Sequence, residues 1–159
     1  MCYAFTPDDW TDDIKELVRV TKPGGWVELI EGGPFLERPG PTYIDYQDKF
    51  VATAKARGID MTISGRLGSL LNSTSLIKVE VDCLSCPLGW NGRIGELAWR
   101  AMQLGMNALR RVVGETDDDN EWERKLKKME QEFRANKSTS LLPYAYGMKP
   151  VGAIGPSNL

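Results

Sequence analysis

Glu31 is the residue of this sequence whose position best suits acid–base chemistry, because it directly follows the mainly apolar run WVELI (26–30). A carboxylate buried at the end of such a run has a raised pKa, and it can act as a general base or bind a substrate amine. The alternative is structural, in which Glu31 caps the next loop or pairs with Arg38. The sequence has no histidine, which excludes the Ser-His-Asp and Cys-His nucleophile systems.

The three cysteines, Cys2, Cys83 and Cys86, suggest a second kind of chemistry. Cys83 and Cys86 form a Cys-x-x-Cys pair, but a zinc site needs about four ligands, and a redox pair lies at a helix N-terminus rather than at the end of a strand-like run. We therefore expect no metal site and two small side chains packed in a sheet, with a redox or metal protein as the weaker alternative. The odd number of cysteines fits a reducing compartment, so we expect a cytoplasmic protein.

Composition excludes several classes of protein. The 159 residues suit one domain, and a hydrophobic content of 42% is enough for a core. The net charge of −2 provides no field for a polyanion, so we expect no nucleic-acid partner. No apolar run reaches the roughly 18 residues that span a bilayer, so we expect no membrane partner. The acidic run 115–123 is interpreted as the start of a helix rather than as a metal site.

The periodicity of apolar residues predicts alternating helices and strands. A helix begins at Pro7 after the N-cap Thr6 and ends before Pro23. Further helices are predicted over 43–57, 64–71 and 94–113 and from within 115–123, and strands over 26–30, 76–84 and 140–150. Residues 32–41 are too rich in glycine and proline for a regular element, and residues 151–159 are expected to be a loose tail.

Three of these elements carry stronger expectations. The helix over 94–113 has a broad apolar surface typical of a buried helix. Strand 76–84 alternates apolar and polar residues, which predicts one buried and one solvated face. In strand 140–150, Pro143 predicts an edge strand or a bulge, since proline cannot donate a ladder hydrogen bond.

The segment ELVRVTKPGGWVELIE (16–31) resembles class I S-adenosylmethionine (SAM) dependent methyltransferases, where a helix leads through a Lys-Pro-Gly-Gly turn into the fifth strand. YAYGMKP (144–150) looks like the last strand of that family, and 76–84 would then be the sixth. The long-helix insertion between them is similar to methyltransferases of fungal type.

The resemblance implies an α/β chain that is the C-terminal part of a Rossmann-like methyltransferase fold. Residues 1–159 would form a single partial domain with a three-stranded mixed sheet, strands five, seven and six, and several helices. The implied cofactor is SAM, but the sequence contains no Gly-x-Gly-x-Gly motif. No cofactor-binding residue is identifiable, so we expect that this chain alone does not bind SAM in the usual way and is inactive alone.

The resemblance also implies an acceptor site for a small molecule after the fifth strand. Its candidate residues follow that strand or come from later elements, and for each aromatic residue core packing is the alternative: Gly32, Gly33, Pro34, Phe35, Tyr43, Tyr46 and Trp90. The fifth strand would have an unpaired edge, which predicts a homodimer or a complementing chain. The alternative function is a non-catalytic pseudoenzyme or a binding module that uses this edge.

Overall fold

The computed structural model of the chain describes residues 4–151, which fold into helices and one antiparallel sheet. The helices are α1 Pro7–Val20, α2 Pro41–Ala56, α3 Leu67–Asn72, α4 Gly92–Leu109 and α5 Asp119–Asn136, and a 3-10 segment, Met61–Arg66, precedes α3. The strands are β1 Trp26–Ile30, β2 Leu36–Glu37, β3 Ile77–Pro87 and β4 Thr139–Met148. The expected tail lies outside the described residues except for Val151.

The start of α1 and the turn after it follow the sequence closely. Thr6 accepts a hydrogen bond from the Asp9 amide, and the Asp9 carboxylate accepts one from the Thr6 amide at 2.8 Å, which confirms the capping box. Gly24 has a φ of 78°, a conformation that a residue with a Cβ rarely adopts. The turn is tied to the end of β4, because Lys149 N donates to Gly25 O at 2.8 Å. The turn therefore fixes β1 beside β4.

β4 is the central strand of a four-stranded sheet. It pairs on one side with β1, where Leu29 lies opposite Ala145, and with β2 further along. On its other side it pairs with β3, where Val81 lies opposite the same Ala145. All these pairs are antiparallel, the sheet has four strands, and β2 shares one side of β4 with β1. The expectation of a mixed sheet of three strands is therefore wrong in both count and order. The additional strand, β2, comes from the segment 32–41 that was expected to lack regular structure.

Pro143 lies in the middle of this central strand, so the prediction of an edge strand is also wrong. Its carbonyl accepts a hydrogen bond from Glu31 N at 3.1 Å, so its backbone faces the side of β1 and β2. β1 ends at Ile30 and β2 begins at Leu36, so the nitrogen of Pro143 faces the loop between them. A proline is tolerated there because no strand needs its missing N–H group.

Two clusters of buried residues form the core. The first joins α1, the α3 region and one face of the sheet, and its members include Trp10, Ile14, Val27, Leu29, Leu67, Leu71 and Ala145. The second joins α2, α4 and α5, and its members include Tyr43, Tyr46, Trp99, Met106, Trp122, Leu126, Met129 and Phe133. The last four residues confirm the apolar face predicted for α5. The two clusters leave much of the other sheet face exposed.

The predicted burial of α4 and of β3 is wrong. Ile94 and Leu104 on α4 are 67% and 71% exposed, although the apolar pattern predicted a buried helix. On β3, Val81 of the face predicted to be buried is 60% exposed, and Cys83 of the same face is exposed rather than packed in the sheet. The described elements leave these positions open to solvent. Among residues 4–151, no helix combines the length and the apolar character needed to span a bilayer.

Candidate functional site

An apolar cavity of about 540 Å³ opens directly after the carboxyl end of β1. Its floor comes from the sheet, where Cys86, Ser140 and Leu142 lie on one face. Its walls come from the loop after β1, from α2 and from α4. The sixteen lining residues are Gly32, Gly33, Pro34, Tyr43, Tyr46, Phe50, Cys86, Leu88, Ala98, Ala101, Met102, Gly105, Met106, Leu109, Ser140 and Leu142.

The aromatic wall of the cavity is held by its own packing. Tyr43 is buried and donates its hydroxyl to Pro34 O at 2.6 Å, which ties α2 to the loop after β1. The ring of Tyr46 lies 6.2 Å from those of both Tyr43 and Phe50, and it is roughly parallel to Phe50. Three aromatic rings along one helix therefore form a continuous surface of fixed orientation.

Tyr46 stays protonated far above neutral pH. Burial raises its pKa to about 12, and the nearby Glu115 carboxylate adds to this effect. Its hydroxyl group is therefore uncharged at neutral pH and does not act as a base there.

A partly buried ion cluster supports this wall from behind. The side chain of Glu115 is 4% exposed and accepts hydrogen bonds from Lys125 at 2.7 Å and from Lys49 at 3.1 Å. Asp45 binds the same two lysines, and their hydrogen bonds lower its pKa. The cluster joins α2, α5 and the segment before α5, so it fixes the helix that carries the two tyrosines.

The opposite wall, α4, is positioned by close contact at its N-terminus. A Cβ on Gly95 would lie 2.7 Å from Trp90 C and 2.9 Å from Trp90 N, so only glycine fits there. Gly89 N donates to Gly95 O at 2.9 Å, and Trp90 Nε1 donates to Ser138 O at 2.7 Å. These contacts anchor α4 to the start of β4.

The structure brings most of the predicted acceptor residues together. Gly32, Gly33, Pro34, Tyr43 and Tyr46 line the cavity. The remaining two, Phe35 and Trp90, do not, and neither does Glu31, the candidate for acid–base chemistry.

Phe35 lines a separate cavity of about 370 Å³ beside the 3-10 segment. Trp90 donates its indole N–H to Ser138 O beside β4, and its ring contacts Lys137. Glu31 is half-buried and is not among the cavity-lining residues. The sequence therefore placed the loop and α2 at the site but did not place α4 there.

Six residues of α4 line the cavity, and none was identified from the sequence: Ala98, Ala101, Met102, Gly105, Met106 and Leu109. The pattern of small residues and methionines in the middle of α4 is the signal that was available. Small side chains leave room for a ligand, and methionine adapts to irregular shapes. A Cβ on Gly105 would meet no atom within 4 Å, so this glycine faces open space.

The two cysteines of β3 cannot act together. They are three residues apart on one strand, so their side chains point to opposite faces of the sheet. Cys83 is exposed, Cys86 lines the cavity, and both are free. Among the described residues, no group of three or more acidic, cysteine or histidine side chains is arranged to hold a metal ion.

The chemistry available in the cavity is that of an uncharged binding site. None of the sixteen lining residues is acidic or basic, and the polar side-chain groups are two tyrosine hydroxyls, one serine hydroxyl and one thiol. A charged ligand would lose its hydration there without gaining an ion pair. Comparison of the sequence with known proteins found no matching family model and no matching curated protein.

Proposed function

We propose that this chain is the acceptor-binding part of a SAM-dependent methyltransferase and that the cavity holds a small, mainly apolar acceptor. The observation that carries the proposal is the position of the cavity. It opens at the carboxyl end of β1, which is the strand that resembles the fifth strand of the family. In open α/β sheets, ligands bind at the carboxyl ends of strands.

The cavity favours a neutral, flat acceptor. Its volume of about 540 Å³ lies within the range of small-molecule sites. The rings of Tyr43, Tyr46 and Phe50 provide one flat wall, and the small residues of α4 leave space opposite them. An aromatic or conjugated molecule would bury its faces between these walls and place a hydroxyl near the tyrosines.

The same residues do not fit SAM. SAM carries an ammonium, a carboxylate and a sulfonium group, and the cavity lining offers no charged side chain to any of them. The contribution of this chain is therefore to bind and orient the acceptor and to exclude water from it. Orientation alone contributes a large part of the rate when a reaction needs little proton transfer.

Ligand-observed NMR with a panel of neutral aromatic and aliphatic molecules tests the proposal. We expect the aromatic members to bind and Gly105→Leu to abolish binding, because the new side chain enters open space in the cavity. Gly105→Ala adds only one carbon atom and is the matched control, with binding retained. The proposal is wrong if no panel member binds, or if Gly105→Leu binds them as well as the wild type does.

The second candidate is a non-catalytic module that pairs through the β1 edge. β1 hydrogen-bonds to β4 through alternate residues, as shown by Glu31 N and Gly25 O, so Trp26, Glu28 and Ile30 direct their backbone groups to the other edge. No described strand pairs with that edge. An extended segment of another polypeptide can add there.

Two measurements separate the candidates. Glu28→Pro removes an N–H group on the outer edge together with the carboxylate, whereas Glu28→Gln removes only the charge. Loss of association in the first variant but not in the second is expected only if the edge is used. Calorimetry with SAM is expected to give no binding to this chain alone. A dissociation constant in the micromolar range, equivalent to about −8 kcal/mol, would contradict the non-catalytic candidate.

A further inference from the structure

Two exposed apolar surfaces border the cavity, and charged residues of opposite net sign flank them. The first, here named the α4 stripe, consists of Ile94, Leu97, Ala101, Leu104 and Ala108, all exposed. Their spacing of three and four residues places them on one line along the helix, as in a helix that packs on a partner. Arg93 and Arg100 lie one position before Ile94 and Ala101 and are exposed on the same side of the stripe. The exposed Glu96 lies between them, so this side carries a net charge of +1.

The second surface, here named the open sheet face, lies on the side of the sheet away from α1 and α3. Its apolar members are Trp26, Ile30 and Leu84, each more than half exposed, together with the stacked rings of Tyr144 and Tyr146. The ring of Trp26 lies 5.7 Å from that of Tyr146. The face therefore presents an aromatic ladder that no described element covers.

Carboxylates flank this ladder on both sides. Glu28 and Glu80 lie opposite Tyr146 from the two neighbouring strands, and Asp82 lies opposite Tyr144. Tyr146 donates its hydroxyl to Glu80 at 2.6 Å, and Tyr144 donates to Asp82 at 3.3 Å. Each carboxylate has further acceptor sites for a guanidinium.

The charges of the two surfaces match in spacing as well as in sign. Arg93 and Arg100 are seven residues apart, which is about 10.5 Å along a helix. Glu28 and Glu80 are separated by two strand spacings, which is about 9.6 Å. A helix that crosses the open sheet face can therefore place one arginine beside each glutamate.

We propose that two copies of this chain form a dimer in which α4 of each copy packs on the open sheet face of the other. Ala101 of the α4 stripe and Leu142, which lies opposite Leu84 on the open sheet face, both line the cavity. Both surfaces therefore border the mouth of the cavity, and a two-fold axis there forms the two contacts together. Such a reciprocal arrangement closes at two copies. It uses side chains of the sheet face and leaves the backbone edge of β1 free.

Charge reversal with rescue by mixing tests this dimer. Light scattering is expected to give twice the chain mass of 17.8 kDa for the wild type. E28K/E80K and R93E/R100E are each expected to weaken dimerisation at least tenfold, because each makes the facing surfaces alike in charge. Mixing the two variants is expected to restore a dimer, since both contacts of the mixed pair are again complementary.

Two controls carry the same change of net charge elsewhere. D48K/E123K and K127E/K128E alter exposed residues of α2 and α5 and are expected to leave the dimer intact. A wild type that is monomeric at about 1 mM overturns the proposal. So do charge-reversed variants that still dimerise, or variants that stay monomeric when mixed. Loss of the dimer in Glu28→Pro without loss in R93E/R100E would assign it to the β1 edge instead.

Discussion

Replacing Gly95 by alanine is expected to destabilise the protein by about 2 kcal/mol. The added Cβ collides with the carbonyl of Trp90 and approaches its C and N atoms at 2.7 and 2.9 Å. These are backbone atoms held by the hydrogen bonds of Gly89 and of the Trp90 indole, so they cannot rotate away. Overpacking of this kind costs up to roughly 3 kcal/mol, and alanine gains roughly 1 kcal/mol over glycine within a helix, so the net loss is about 2 kcal/mol.

Urea unfolding followed by tryptophan fluorescence measures this effect. With a slope of about 1.5 kcal/mol per molar, the midpoint should fall by about 1.3 M. Gly105→Ala is the control in the same helix, and it should gain up to about 1 kcal/mol because its Cβ meets no atom within 4 Å. The contact with Trp90 would have no energetic role if Gly95→Ala were as stable as the wild type, or if Gly105→Ala lost as much.

Three further predictions concern the support of the cavity. Glu115→Gln is expected to cost about 2 kcal/mol, because Lys125, 17% exposed, loses its buried anion. The raised pKa of the Tyr46 phenol stabilises the fold below about pH 10, and the wild type should lose this stabilisation as the pH rises to about 12. Tyr46→Phe has no phenol to ionise and is expected to show no such loss. Gly40→Ala and Glu132→Ala are each expected to cost about 1 kcal/mol and to be non-additive, because a Cβ at position 40 would displace the Glu132 carboxylate that caps α2.

The same urea assay checks all three. Glu123→Gln removes an exposed carboxylate and should change stability by less than about 0.5 kcal/mol. If it costs as much as Glu115→Gln, burial of the anion does not matter. If the stabilities of Tyr46→Phe and the wild type change in parallel between about pH 10 and 12, ionisation of the Tyr46 hydroxyl does not affect stability. Additive losses in the Gly40 and Glu132 double variant would show two independent effects.

The helix ends and the strand positions could be predicted because local residues determine them. Thr6 caps α1 through its own hydroxyl, and the glycines after Pro23 supply the turn into β1. The face of α5 was predictable because Trp122 and Phe133 belong to one continuous line of buried residues. In these cases the nearest neighbours in sequence carry the information.

Burial on α4 and β3 could not be predicted, because an apolar pattern identifies a face without identifying its partner. Leu104 and Val81 have the periodicity of core residues and lie exposed. Pro143 shows the same limit, since its place in the central strand depends on the gap between β1 and β2. The acceptor residues close to β1 were predictable from chain order, whereas the contribution of α4 depends on the long-range contact of Trp90 with Ser138.

If the cavity binds an apolar molecule and the dimer covers its mouth, ligand binding and dimerisation must be linked. A ligand that is covered by the partner copy has more apolar surface removed from water, so it should dissociate more slowly. It should also stabilise the dimer, and dimerisation should tighten its binding by the same factor. The dissociation rate of a bound aromatic molecule should therefore be slower in the wild type than in E28K/E80K, which changes no residue that lines the cavity. Equal dissociation rates, with a dimer present in one sample and absent in the other, would show that the partner copy does not cover the mouth.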